Sequence, residues 1–500
     1  MNVNKTNNTK QAAWVALGSF CSYIVGIVSP MILSRVFDKA DYGTYKQVMY
    51  VYSTLLIVFT LGLPRAYSYF IPKRPIEEAK DIITKLTAIF VVLGGVFSLT
   101  LLIFASPIAS LLNNPDLAVA LRYFSPVPLL LLPTMGLEGV LASFKRTEYL
   151  AGFTIVTRIM TVILTVLPVF VFGGTYIEAI IGFDIASLLT CIYAIRIMGI
   201  PVKGIAHVKT IISYRDVFKF ALPLLYASIW GMIINSVTQF FISRYYGNEV
   251  FADFSNGFME LPFVGMVISA VAAVLLPAFS RMDQGQGMQE EVYTLWTGSV
   301  IKSAKIIFPM LVYCVFFARL MMVCMYGDIY DSSAIYFQIK NLSGLFYIIP
   351  FAPILIAVGK TKDYANIHMI TAFLIVISEF VVVKTINDPV AVAVTSELCR
   401  IIFVYLMMAV IAKYASKSIS KLLPLKDLMI ILISTMIAGG IDAILCMFLS
   451  INKFIVLGVS FLLFIVVYYF LCWALKISYK EFVTSLLPSR FNSLIIKHIP

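Results

Sequence analysis

Arg158 and Arg400 are the residues of this chain best placed to do chemistry. Both lie inside long apolar runs, where an ionised side chain costs about 2.5–3.5 kcal/mol on insertion scales and therefore needs a reason. At 1.5 Å per residue, Arg158 falls roughly 12 Å beyond the start of its run and Arg400 roughly 16 Å beyond the start of its own, so both sit near mid-membrane. Arg158 shares a helical stripe with Thr154, Thr157, Thr161 and Thr165, spaced by three and four, which gives that helix one polar face. The stripe reads either as the wall of a wet cavity or as the surroundings of a buried arginine paired to a neighbouring helix through Glu138. Arg400 stands three residues after Glu397, a spacing that equally allows a self-neutralised structural pair. Arg65 follows Pro64 near the end of its run; it is a ligand candidate or simply snorkels to the interface, as Arg319 is expected to do.

The acidic residues inside apolar runs are Glu138, Asp184, Glu260, Glu379, Glu397 and Asp442. A carboxyl group that alternates between wet and dry surroundings can exchange a proton. Glu138, Glu379 and Glu397 are the ion-coupling candidates; Thr134 accompanies the first, and Ser378 and Thr371 the second. Asn235, Gln239 and Ser243 form a further polar stripe, with a partner in Ser19, Ser22, Gly26 and Ser29. Small residues also let helices pack closely, so the second stripe reads as packing at least as well as cavity lining. Other chemistry is poorly supported. All seven cysteines (Cys21, Cys191, Cys314, Cys324, Cys399, Cys446, Cys472) lie in apolar runs without paired spacing, as small core residues do. His207, His368 and His498 are too scattered to hold a metal. No HExxH, P-loop or GxSxG pattern occurs, so neither hydrolysis nor nucleotide use is expected. No cofactor, metal or catalytic residue is assigned.

The elements that must position these residues are long apolar helices. The 500 residues are 60% hydrophobic and 13% charged, with a mean hydropathy of +0.93. A soluble chain is about half apolar and about a quarter charged, so the composition describes an all-α polytopic membrane protein. A hydrocarbon core of about 30 Å takes about twenty residues per crossing, and on that template about fourteen segments emerge. They lie near 12–33, 47–71, 83–105, 122–144, 150–172, 178–198, 219–243, 254–276, 304–326, 335–358, 365–385, 390–412, 428–450 and 454–475. The runs are too long and too unbroken for barrel strands. Pro126, Pro128, Pro133, Pro168, Pro350 and Pro353 fall inside segments and permit kinks, either static or used in motion.

Orientation follows from Lys and Arg. Outside connections hold eight (Arg35, Lys39, Lys46, Arg122, Arg244, Lys340, Lys384, Lys453), the helices hold Arg65, Arg158, Arg319 and Arg400, and the remaining 26 of 38 fall on one side. Both termini are therefore expected in the cytoplasm. The polar start MNVNKTNNTK reads as a cytoplasmic tail, without the cleavage site of a signal peptide. The net charge of +12 then follows from topology and attraction to anionic lipid, with no nucleic-acid partner required.

One hairpin recurs. SRVFDKADYGTY, beginning at Ser34, returns as SRYYGNEVFADF from Ser243, so that Ser34, Arg35, Tyr42, Gly43 and Tyr45 match Ser243, Arg244, Phe251, Ala252 and Phe254. Lys145–Tyr149 (KRTEY) similarly echoes Lys360–Tyr364 (KTKDY). Two parallel six-helix repeats, joined near Gly199–Lys219 and related by an axis along the membrane normal, account for both echoes. The expected division is 1–215, 216–427 and 428–500, the last holding two extra helices.

The SRVFDKADYGTY turn, the LGLPRAYSYFIPKR end of segment two and the ASFKRTEY connection resemble the oligosaccharide flippases of bacterial polysaccharide assembly, in the multidrug/oligosaccharidyl-lipid/polysaccharide exporter superfamily. The resemblance is in motif over about residues 12–160 and in topology over the whole chain. It implies two six-helix lobes in a V around a central cavity, related by a pseudo-twofold, and an inner-membrane transporter, not an enzyme. The implied cargo is a polyprenyl-pyrophosphate-linked oligosaccharide moved from the inner to the outer leaflet by alternating access coupled to an ion gradient. The implied partners are that lipid-linked sugar, the lipid bilayer, and a polysaccharide polymerase with other assembly proteins. Under this reading Arg158, Arg400, Arg65, Asn235, Gln239 and Thr161 are the cavity's substrate-binding candidates. A drug or cation antiporter of the same superfamily is the alternative, and would depend little on Arg158 or Arg400. A membrane glycosyltransferase or polymerase would need a large outer loop with carboxylates, and no outer connection here exceeds roughly twenty residues.

Overall fold

The computed structural model describes residues 25–280, 290–351, 354–355, 359–449 and 451–479, together with 14, 18 and 21–23. The described residues are helical, with no strand among them. Ten helices are long and apolar enough to cross a membrane, and eleven if the bent pair Tyr214–Tyr226 and Ser228–Gly257 is one span. The expected count of fourteen is not reached among these residues, and three of the expected segments are not among the spans. Segment one is represented by the shorter apolar helix Cys21–Val36. Segment eight is interrupted: one helix ends at Gly257 and the next begins at Pro262, because proline disfavours helical backbone in the residue before it. Segment ten holds the twelve-residue helix Ser333–Gly344 and then turns.

The turns obey their side chains. Asp38 caps the helix Lys39–Thr60, its Oδ1 accepting the Asp41 N–H at 2.7 Å, and Asp388 caps Pro389–Ala415 through the N–H groups of Val390 and Ala391. Three prolines divide segment four into Asp116–Phe124, Val127–Leu131, a 3₁₀ turn Leu132–Gly136 and Leu137–Ser143. The 43° bend after Tyr226 follows Pro223, which lies inside the helix Tyr214–Gly257 and removes one backbone bond. Gly247 breaks the same helix with φ 83°, a conformation that needs no compensation only in glycine.

The chain forms two compact units, Met1–Ala252 and Asp253–Pro500. In the first, the hairpin that opens at Ser34 builds a buried polar seam. Gln47 Nε2 donates to Ser243 Oγ at 2.8 Å, and Asn114 Nδ2 reaches Gln47 Oε1 at 2.6 Å and Thr44 Oγ1 at 2.9 Å. Gly43 is required at this seam, since a Cβ there would stand 2.1 Å from the Asn248 carbonyl oxygen. The polar connection beyond Gly199 is pinned to the start of the helix Ala79–Ile103. Asp81 accepts the Thr210 N–H at 2.9 Å, Glu78 accepts the Thr210 hydroxyl at 2.6 Å, and Lys85 Nζ donates to the Thr210 and Ile212 carbonyls.

The second unit packs Trp296, Val300, Ile307, Met407 and Ile411 into one core that also takes in Ile431 and Cys472 of the last two helices. Tyr313 fastens those helices further, its hydroxyl paired with Ser460 Oγ at 2.8 Å. The last two helices, which lie outside the expected repeat, thus contribute to the second unit's core. Large apolar side chains also point outward, including Phe172 at 76% and Phe448 at 80% exposed. Water would not tolerate so much exposed apolar surface, and hydrocarbon does.

Candidate functional site

In the first unit, Arg158 opens into a pocket of about 320 Å³ lined also by Gly18, Ser22, Tyr23, Glu138 and Thr154. Arg158 is carried by the helix Thr147–Phe172 and Glu138 by Leu137–Ser143, and both side chains are exposed. No described carboxylate lies within 4.0 Å of the Arg158 guanidinium, Glu138 included. The two candidates therefore share one pocket without forming an ion pair. Ser22 and Tyr23 bring hydroxyls from the helix Cys21–Val36.

The threonine stripe does less than its spacing suggests. Thr154, Thr157 and Thr161 donate to carbonyls of their own helix, those of Leu150, Phe153 and Thr157, at 2.7–2.9 Å. Such back-bonding satisfies a hydroxyl locally. Thr157 and Thr165 are buried and Thr161 is half-buried, and of the stripe Thr154 alone is among the residues that line the pocket. Arg65 is exposed at the start of the helix Pro64–Phe70. Asn235 is exposed and Gln239 half-buried; neither lines the Arg158 pocket.

The second unit holds a separate ionic group around Arg400. Glu397, nearly fully buried, is met by Lys340 Nζ at 3.1 Å, by the Ser343 hydroxyl and by Arg400 Nε at 3.5 Å. Lys340 also reaches Glu260 at 3.3 Å, and Arg400 Nη1 stands 3.9 Å from the same carboxylate. The Glu397–Arg400 spacing of three residues does form the intrahelical pair. Lys340 was not a site candidate; the charge count assigns it to an outer connection. The signal was its place six residues inside segment ten beside Asn341, in a helix where an unpaired ammonium could not stay. Glu260 and Lys340 also line a cavity of about 260 Å³, with Asn341, Ser343 and Tyr347. Glu379 is fully buried in the helix Thr361–Thr385 together with Thr371. No group of three or more His, Cys, Asp or Glu able to hold a metal occurs among the described residues.

Residues 9–283 match the family described as polysaccharide biosynthesis protein. An uncharacterized membrane protein of Methanocaldococcus jannaschii is 22% identical over 366 residues, which cover 68% of this chain and 71% of that protein. The succinoglycan biosynthesis transport protein ExoT of Rhizobium meliloti is 24% identical over 313 residues, or 59% of this chain and 58% of its own length. Among solved structures, the lipid II flippase MurJ in an inward closed conformation superposes with a TM-score of 0.74 at 16% identity, covering 94% of this chain and 99% of that one. An inward-facing multidrug-resistance transporter of the MATE family gives 0.63 at 11% identity, over 79% and 96%. At such identities the structural likeness is one of fold, and the fold is that of the exporter superfamily named above. The family match spans more than half of the sequence, and the chain belongs to the polysaccharide biosynthesis protein family of multi-pass membrane transporters.

Proposed function

We propose that this protein flips a polyprenyl-pyrophosphate-linked oligosaccharide from the inner to the outer leaflet of a bacterial plasma membrane, with both termini in the cytoplasm and an ion gradient as the driving force. A sugar-pyrophosphate head entering hydrocarbon would shed its hydration and bury negative charge, at a cost of many kcal/mol. A polar pocket with a guanidinium replaces that hydration, because its planar fork pairs bidentately with phosphate oxygens. The observation that carries the reading is Arg158: deep in an apolar helix, exposed to a pocket, and without a carboxylate within 4.0 Å among the described residues. Glu138 in the same pocket is the proposed proton-exchanging group, and polysaccharide polymerase and other assembly proteins are the proposed partners downstream.

The test is surface-glycan export in cells that depend on this protein. Arg158→Ala removes charged hydrogen bonds worth about 1.5–3 kcal/mol, or roughly 10- to 100-fold in headgroup affinity. Export should fall at unchanged membrane abundance, and Arg158→Lys should restore part of it. Normal export by a well-expressed Arg158→Ala protein overturns the substrate role.

A further inference from the structure

The two carboxylates of the second unit's ionic group are not equivalent. Glu397 has only 4% of its side chain exposed and is fixed by Lys340, Arg400 and the Ser343 hydroxyl. Glu260 has 74% exposed, lies farther from the same two cations at 3.3 and 3.9 Å, and lines the 260 Å³ cavity. It also sits in the non-helical break between Gly257 and Pro262, so its carboxylate can swing away without breaking a helical hydrogen bond. The Lys340 ammonium is fully committed by comparison. Its side chain is 9% exposed, lies between the two carboxylates, and has the Phe258 ring 4.9 Å away.

We propose that Lys340 and Arg400 form a phosphate-binding site in the second unit, and that the Glu260 carboxylate holds the anion's place until a phosphate group displaces it. With Glu260 in place, two cations face two carboxylates and the group is neutral. With Glu260 swung out, Lys340 and Arg400 lose one of the two carboxylates that face them, a surplus of positive charge beside a mostly apolar cavity. Low dielectric makes that surplus costly unless an anion enters. The entrant has to outcompete a tethered carboxylate, which acts at high effective concentration. A free carboxylate brings the same single charge and gains nothing. A phosphate brings about 1.5 to 2 negative charges and three strong acceptor oxygens, and the Lys and Arg donors suit it as a point charge and a planar fork. The site rests on the flippase reading only for the source of the phosphate, a lipid-linked head or a free anion.

The experiment titrates inorganic pyrophosphate into the full-length protein in zwitterionic lipid nanodiscs. Glu260→Gln keeps the shape of an exposed side chain and removes the competing charge, so binding should tighten about tenfold or more. Glu260→Ala should agree. Adding Arg400→Gln to Glu260→Gln should cancel the gain. Binding to Glu260→Gln and Glu260→Ala that is equal to or weaker than wild type overturns the proposal. A gain that vanishes with Arg158→Ala instead of Arg400→Gln overturns it too, because the anion would then sit in the first unit's pocket. Arg158→Ala read in glycan export separately decides the flippase reading. A polyprenyl pyrophosphate placed in the nanodisc identifies the source. Displacement of bound inorganic pyrophosphate marks a lipid head as the occupant, and retention with the Glu260→Gln gain intact marks a free anion.

Discussion

Lys340→Met is the sharpest stability perturbation in the second unit. Lys340 and Glu397 are 9% and 4% exposed at the side chain and meet at 3.1 Å. Removing one member of a buried pair leaves the other charged and unsolvated, at about 3–5 kcal/mol. Arg400 Nε remains 3.5 Å from Glu397 and the Ser343 hydroxyl still donates to it, which places the loss near the lower end, about 3 kcal/mol. Lys340→Met combined with Glu397→Gln removes both charges and keeps an acceptor for Ser343, so most of the loss should return. The measurement is the thermal unfolding midpoint of the purified protein in detergent, together with steady-state membrane abundance, which drops several-fold for a loss of this order. Salt separates the buried pair from a surface one. The exposed Arg319–Asp331 pair, 79% and 44% exposed at the side chains, is screened in high salt, whereas the Lys340 effect should persist. A Lys340→Met protein as stable as wild type, or a double variant no better than the single one, refutes this reasoning.

Two further outcomes concern the first unit. Gly43→Ala drives a methyl group to 2.1 Å from the Asn248 carbonyl oxygen, while Gly152→Ala meets nothing within 4 Å; the first should cut folded yield and the second should leave it unchanged, by fluorescence-detected size exclusion. Asp81→Asn weakens the bond to the Thr210 N–H and removes the charge that faces Lys85 at 3.2 Å and His207 at 3.4 Å, so limited proteolysis should cut residues 203–209 faster than in wild type while the helices stay resistant.

What could be read in advance was whatever acts along one helix. Apolar runs set the spans, and Pro126, Pro128 and Pro133 announced the broken segment. The Glu397–Arg400 spacing announced an ion pair. Arg158 was legible for the same reason: depth is residue count times a fixed rise, and only depth was needed to flag it. Direction around the helix was not legible. The threonines at three- and four-residue spacing looked like a cavity face, yet Thr157 and Thr165 are buried and three of the four hydroxyls bond to their own helix. Pairing across the chain was illegible as well. Lys340 lies 57 residues from Glu397 and farther still from Glu260, and neither carboxylate leaves a mark in the pattern around the lysine. A cation counted as part of an outer connection therefore turned out to be the centre of the second unit's ionic group. The asymmetry has a physical origin: a helix repeats its own geometry every few residues, whereas a buried charge is tolerated only through partners that the fold brings from elsewhere. An intramembrane lysine or arginine with no partner at three or four residues should accordingly be read as pointing to a long-range partner or to a ligand. Lys340 is the first case, with Glu397 and Glu260 as its partners, and the absence of a carboxylate within 4.0 Å of Arg158 among the described residues is why the second case is proposed for it.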